Sequence, residues 1–234
     1  MAIVHDAWLF DPRGFAKAIA GYAKSVVDDP KDGYQTLRAA AVCALDQGGV
    51  EYFAERYGGW DTRSLLSELP DLHTTDSGPI AFCFTLLLYA HLANKNVPGL
   101  SLGLHTLWRS GQAVLDRLGW DFADRESLVK GHDFAVFVEQ YLATPDLTPG
   151  QVSEILRIWT HVRPNSTAAH VGWLDLKDVG TLLHKLKDGE GKFSSLMPPQ
   201  ARLPAEELDA FRRAQTMLQA AITKDHALCL ILSG

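Results

Sequence analysis

Residues 11–30, DPRGFAKAIAGYAKSVVDDP, decide how the rest of the chain is read. Asp11 is a good N-cap, and Pro12 suits the first helical position, where its missing N–H is no loss. Phe15, Ala18, Ile19, Tyr22 and Val26 then fall at offsets of 0, 3, 4, 7 and 11, a single stripe on an α-helix. Asp29-Pro30 ends it. A capping carboxylate, an apolar stripe and a proline or glycine stop make up one helical unit.

That unit recurs outward from here. A second helix starts at Asp32 or Gly33, carries Tyr34, Leu37, Ala41, Ala44 and Leu45 on one face, and breaks at Gln47-Gly48-Gly49. Short helices are expected over 50–57 and 62–69. The polar loop 70–78 delivers the chain to Pro79 and an apolar helix over 80–94. Leu100, Leu104, Leu107, Trp108, Val114, Leu115 and Leu118 share a further helical face. Asp124 is positioned to cap a helix over about 125–143. Thr148-Pro149-Gly150-Gln151 has the form of a capping box ahead of Val152, Ile155, Leu156, Trp159 and Val162, with Pro164 as the stop. Asp175 opens a helix through Leu176, Val179, Leu183 and Leu186. Pro204 and Ala205 start the last one, along Leu208, Phe211, Leu218 and Ile222.

Three Gly-Trp pairs punctuate this series: Gly59-Trp60, Gly119-Trp120 and Gly172-Trp173, each with an aspartate within the next few residues. A left-handed glycine ends a helix, the next apolar residue folds back, and the aspartate caps the next helix, so each pair reads as a helix-to-helix joint with a buried Trp. Residues 2–10 alternate loosely and predict a strand. The apolar run within 226–233 predicts a second strand pairing with it, a continuation of the last helix being the alternative. The expected fold is mostly α: a compact multi-helix domain of about eight to ten helices, with one small sheet formed by the N- and C-terminal segments. No linker divides the chain, so residues 1–234 are expected to be a single helical domain.

The 22 Lys and Arg against 28 Asp and Glu give a formal charge of −6. That sign argues against a nucleic-acid backbone or an anionic membrane as partner. Arg212-Arg213 is the one adjacent basic pair. Cys43, Cys83 and Cys229 sit in apolar runs without metal-ligand spacing, which predicts buried thiols in a reducing compartment. No basic region precedes the apolar N-terminus, so no signal peptide is expected. The apolar run Ile80 to Ala93 is too short to span a bilayer. A cytoplasmic protein is expected.

His132-Asp133 is the pair with the clearest chemical potential, because helical metal-dependent phosphohydrolases use an adjacent His-Asp as metal ligands that activate a water. Such a site needs an earlier His and a later Asp, for which His91, His105, Asp175 and Asp178 are available. On a helix, however, Glu139 would share a face with His132 and satisfy it, and a second pair, His5-Asp6, lies in the predicted strand. No two His residues are spaced i, i+4. His91, alone on the most apolar helix, reads as a core residue. Glu51 and Glu55 read as a solvated face beside Arg56, and Gly99-x-x-x-Gly103 as close helix packing. Asp71 and His73 are the polar residues of loop 70–78 that capping leaves unexplained. No nucleophile elbow, phosphate loop or dinucleotide fingerprint is present. Neither metal nor cofactor is expected.

Residues 188–203 lack periodicity and carry Phe193, Leu196 and Met197, which predicts a long loop that contacts a partner through these three residues or docks them on the protein's own core. Capping and packing account for nearly every polar group. The expected function is therefore non-catalytic, the binding of a protein partner in the manner of an inhibitor, immunity, adaptor or regulatory protein. The alternative is a helical metal-dependent phosphohydrolase using His132-Asp133.

Overall fold

The computed structural model describes residues 4–46, 49–53, 77–93, 100–101, 119–142, 147–160, 170–196 and 205–233. Among them the protein is mostly helical with one small antiparallel sheet, as the patterning predicts. Strands β1 (Val4–Phe10) and β5 (Ala227–Ser233) pair along their whole length, Val4 opposite Ser233 and Phe10 opposite Ala227. The two ends of the chain thus form a sheet, and the C-terminal segment is strand. Three interior pieces widen it: β2 (Leu100–Ser101) on β1, β4 (His170–Leu174) on β5, and β3 (His132–Asp133) on β4, in the order β2-β1-β5-β4-β3. Leu100 and Ser101, expected to begin a helical face, are strand instead.

β5 is therefore central, and helices cover both of its faces. A strand buried on both sides is apolar at every position, not at alternate ones, and Ala227 through Ile231 are all buried. On one face, Trp8, Phe10, Cys229 and Trp173 pack against α1 (Pro12–Asp28), α2 (Pro30–Asp46), α3 (Ser77–Ala93), the short α5 (Phe134–Phe137) and α6 (Pro149–Thr160). A π-helical segment, Val138–Leu142, continues α5. On the other face, Ala7, Leu9, Leu228 and Leu230 pack against α4 (Phe122–Lys130), α7 (Leu176–Leu196) and α8 (Ala205–Lys224). Alternation along β1 divides its side chains between the two cores.

Local chemistry sets the helix ends. Asp11 caps α1, its carboxylate accepting from Gly14 N at 2.9 Å. Phe15, Ile19 and Val26 are buried as expected, but Ala18 is exposed and Ala16 and Ala23 are buried instead. The buried stripe is therefore shifted from the predicted one toward the Ala16 side. Asp29 Oδ1 accepts from Lys31 N and Asp32 N, so the residue that ends α1 also caps α2, and α2 starts at Pro30, ahead of the expected Asp32. Its predicted face is buried in full: Tyr34, Leu37, Ala41, Ala44 and Leu45. The capping box at α6 forms in both directions, Gln151 N donating to Thr148 Oγ1 and Thr148 N to Gln151 Oε1.

The Gly-Trp pairs divide. Gly119 has φ +77°, Trp120 is buried at 4% exposure, and Asp121 caps α4 by accepting from Asp124 N. From Gly119 onward this matches the expected joint, except that Asp121 caps in place of Asp124; the residues before Gly119 lie outside the described ones. Gly172-Trp173 is not a joint but part of β4. Its glycine answers a different demand, since a Cβ there would lie 1.7 Å from the carbonyl oxygen of Lys130 at the end of α4. Trp173 is nevertheless buried, at 1% exposure. Gly59-Trp60 lies outside the described residues.

Three further expectations are corrected. The single helix over 125–143 is α4, then Gly131 at φ +68°, then β3, then α5 and the π-helical segment. The segment 188–203 is not a loop from its start, because α7 runs through Gly189 and Gly191 to Leu196. Phe193 and Leu196 are thus on a helix, while Met197 lies outside the described residues. Cys43 is exposed, although Cys83 and Cys229 are buried; all three are free thiols. No helix among the described residues is long and apolar enough to cross a membrane.

Candidate functional site

His132, predicted on a helix in line with Glu139, sits instead in β3 opposite Trp173, with Asp133 opposite Gly172. Successive side chains of a strand leave on opposite faces, so the pair does not converge on one point. His132 turns to α7, its Nε2 donating to Asp178 Oδ2 at 2.7 Å, and its ring meets Trp173 edge-on at 6.4 Å. Of the described residues considered for a metal site, the structure brings His132 and Asp178 together. Asp175 caps α7 by accepting from Asp178 N. His91 is half-buried, its ring 5.9 Å from Phe10 and 5.4 Å from Phe15. Asp6 is buried in β1 and engaged there. His105, Glu55, Asp71, His73 and Gly103 lie outside the described residues. Among the described residues no three His, Cys, Asp or Glu side chains form a metal-binding group.

A different feature is more developed. A groove of about 450 Å³ runs along α1, lined by Arg13, Ala16, Lys17, Ala20, Gly21 and Lys24 of that helix and by Tyr141 and Leu147 opposite. This volume is in the range of sites that hold small ligands or short peptide segments. Arg13, Lys17 and Lys24 stand at offsets of 0, 4 and 11, which places them within about 40° of one another around the helix. All three are exposed, and among the described residues none forms an ion pair. Three described carboxylates in this part of the fold hold other partners. Asp11 caps α1, Asp175 caps α7, and Asp28 accepts from Gln151 Nε2 at 2.7 Å. The Asp28–Gln151 bond ties the end of α1 to the start of α6.

The opposite wall is packed through aromatic contacts. Tyr141 belongs to the π-helical segment, a distortion often found at functional sites. Its ring stacks on Phe137 at 5.4 Å and meets Trp173 edge-on at 5.5 Å. Burial raises the Tyr141 pKa above its ordinary value and Asp175 raises it further, while Arg13 opposes both. The hydroxyl is accordingly neutral and able to donate. Leu147 is buried just ahead of the α6 cap. The groove thus combines a line of cations with a hydroxyl and an apolar floor.

Sequence pattern alone does not mark this site. Its one signal there is the helical spacing of residues 13, 17 and 24, which by itself describes a solvated face. The comparisons with known proteins add no match: no family model, no curated protein and no solved structure aligns significantly with the chain.

Proposed function

We propose that this protein is a non-catalytic binder, of the inhibitor, immunity, adaptor or regulatory kind, and that an acidic surface of a protein partner enters the α1 groove. One observation carries the reading: Arg13, Lys17 and Lys24 line a groove and form no ion pair among the described residues, in a chain whose formal charge is −6. Cations left unmatched in an acidic chain serve attraction of an anionic partner better than they serve folding.

Magnitudes narrow the partner. Exposed ion pairs contribute roughly 0.2–1 kcal/mol each, so three give at most about 3 kcal/mol, against about 8 kcal/mol for micromolar binding. The balance has to come from apolar contact with Ala16, Ala20, Tyr141 and Leu147. The ligand is then both acidic and apolar, which describes a protein segment better than a phosphate backbone. The unbridged thiols accord with a cytoplasmic setting. Phe193, Leu196 and Met197, at and just past the end of α7, are a second contact proposed for the same partner, supported by their apolar character beside Pro198-Pro199.

Affinity capture of the tagged protein from its own cells tests the reading, run beside the R13E/K17E/K24E variant and with elemental analysis of both. A stoichiometric protein partner held by the wild type and lost by the variant supports it. A partner retained in full by the variant removes the groove from the account. A stoichiometric transition metal that disappears on changing His132 and Asp133 to Ala replaces the binder with the hydrolase.

A further inference from the structure

Gly21 stands in the interior of α1, where glycine is among the poorest helix formers. A glycine inside a helix is usually explained by a neighbour too close to admit a Cβ, the kind of crowding seen at Gly172 in β4. At Gly21 no such neighbour exists among the described residues: a Cβ built there meets no atom within 4 Å. The residue is exposed and lines the groove between Lys17 and Lys24. The helix is weakened at a point that no described residue uses.

We propose that Gly21 is where the main chain of an extended, acidic peptide segment of the partner passes closest over α1, with carboxylates directed at Arg13, Lys17 and Lys24. This rests on the binding reading above and adds the chemistry of the ligand. From residue 13 to residue 24 the helix rises about 16 Å, which an extended chain covers in about five residues. Alternate side chains of such a segment face the helix, so carboxylates at alternate positions meet the cations. An apolar side chain at one end rests on Tyr141 and Leu147. A bare cleft at Gly21 lets backbone approach where any larger side chain would hold it off. A phosphate chain could also neutralise the cations, but it leaves Ala16, Ala20 and Leu147 uncovered.

The test uses full-length protein and a fluorescent heptapeptide of alternating Glu and Leu, read by anisotropy at low salt, with Gly21→Ala compared against Gly180→Ala. Gly180 is a matched control: it lies inside α7, a Cβ there also meets nothing within 4 Å, and it does not line the groove. Both alanine variants are expected to melt above the wild type, because each removes a helix-interior glycine. Only Gly21→Ala is expected to bind the peptide at least tenfold more weakly, and the same peptide with Lys for Glu is expected not to bind. Equal peptide affinity for Gly21→Ala and wild type overturns the proposal. So does failure of the wild type to bind the peptide at millimolar concentration, and so does stronger competition by tripolyphosphate or single-stranded DNA than by unlabelled peptide. A cellular partner held equally by wild type and Gly21→Ala discards this inference alone, whereas a partner indifferent to R13E/K17E/K24E discards the groove reading beneath it.

Discussion

The two faces of the sheet are built from different chemistry. One is aromatic: Trp8, Phe10, Phe15, Phe53, Phe137 and Trp173 interlock there, with ring centroids 4.5 to 6.0 Å apart in the contacts Trp8–Phe53, Phe10–Phe15 and Phe137–Trp173. The other is aliphatic, built from Leu9, Leu128, Val179, Leu182, Leu186 and Met217, with Trp120 at its edge. Their charges differ in the same sense. Beside the aliphatic core, Lys185 reaches Asp124 on the neighbouring α4, and Lys130 meets Glu126 within α4. Beside the aromatic core, the cations of α1 face a groove. Branched aliphatic side chains fill irregular space. Flat rings need set geometry, and Tyr141 of the π-helical segment lines the groove beside α1.

The largest effect expected from this contrast is on the aromatic side. Trp173 is 1% exposed and touches His132, Phe137 and Tyr141, so Trp173→Ala is expected to lower stability by about 4–5 kcal/mol. Trp120→Ala, in surroundings of smaller side chains that can relax, is expected nearer about 3 kcal/mol. Urea midpoints measure both, and equal losses would remove the distinction between the faces.

High pH gives the next effect. Burial pushes the Cys83 thiol from 9.0 to about 12, partly offset by Arg38, and burial also raises Cys229 and Tyr89. Above pH 9 the unfolded chain gives up protons that the folded protein still holds. Stability is therefore complete below the unfolded value and declines as pH rises toward the folded one. Between pH 9 and about 10.5, Cys83 alone should account for about 2 kcal/mol. Urea midpoints across that range should fall for the wild type and fall less for Cys83→Ala; a flat profile contradicts the burial argument.

Smaller still is the pair His132–Asp178, both side chains being a third or more exposed. Asp178→Asn is expected to shift stability by less than about 1 kcal/mol. The R13E/K17E/K24E variant should be smallest of all, within about 0.5 kcal/mol of the wild type, because its charges contact no partner among the described residues. A large drop in its melting temperature would show that the groove serves folding.

Legibility in the sequence decays with distance along the chain. The Thr148–Gln151 box and the buried face of α2 are readable because every group they need lies within a few residues or at a helical period. Gly172 is misleading because its reason, the Lys130 carbonyl, arrives from another element. β2 and β3, two residues each, are too short to show a period. The break of the expected 125–143 helix turns on Gly131, whose conformation pairing with β4 completes. The cations of the groove are visible as a helical line, but their freedom from ion pairs among the described residues is a property of the folded arrangement. Local signals specify helices and caps; the sheet's two covered faces and the site arise from tertiary contact.

Amine footprinting inside cells tests the central claim most directly, by comparing modification of Lys17 and Lys24 with that of Lys177 and Lys224 in the purified protein and in its native setting. All four lysines are exposed, and only the first two line the groove. An occupied groove predicts that Lys17 and Lys24 become at least severalfold less reactive in cells while Lys177 and Lys224 keep their reactivity. Equal reactivity of all four in both settings would contradict it.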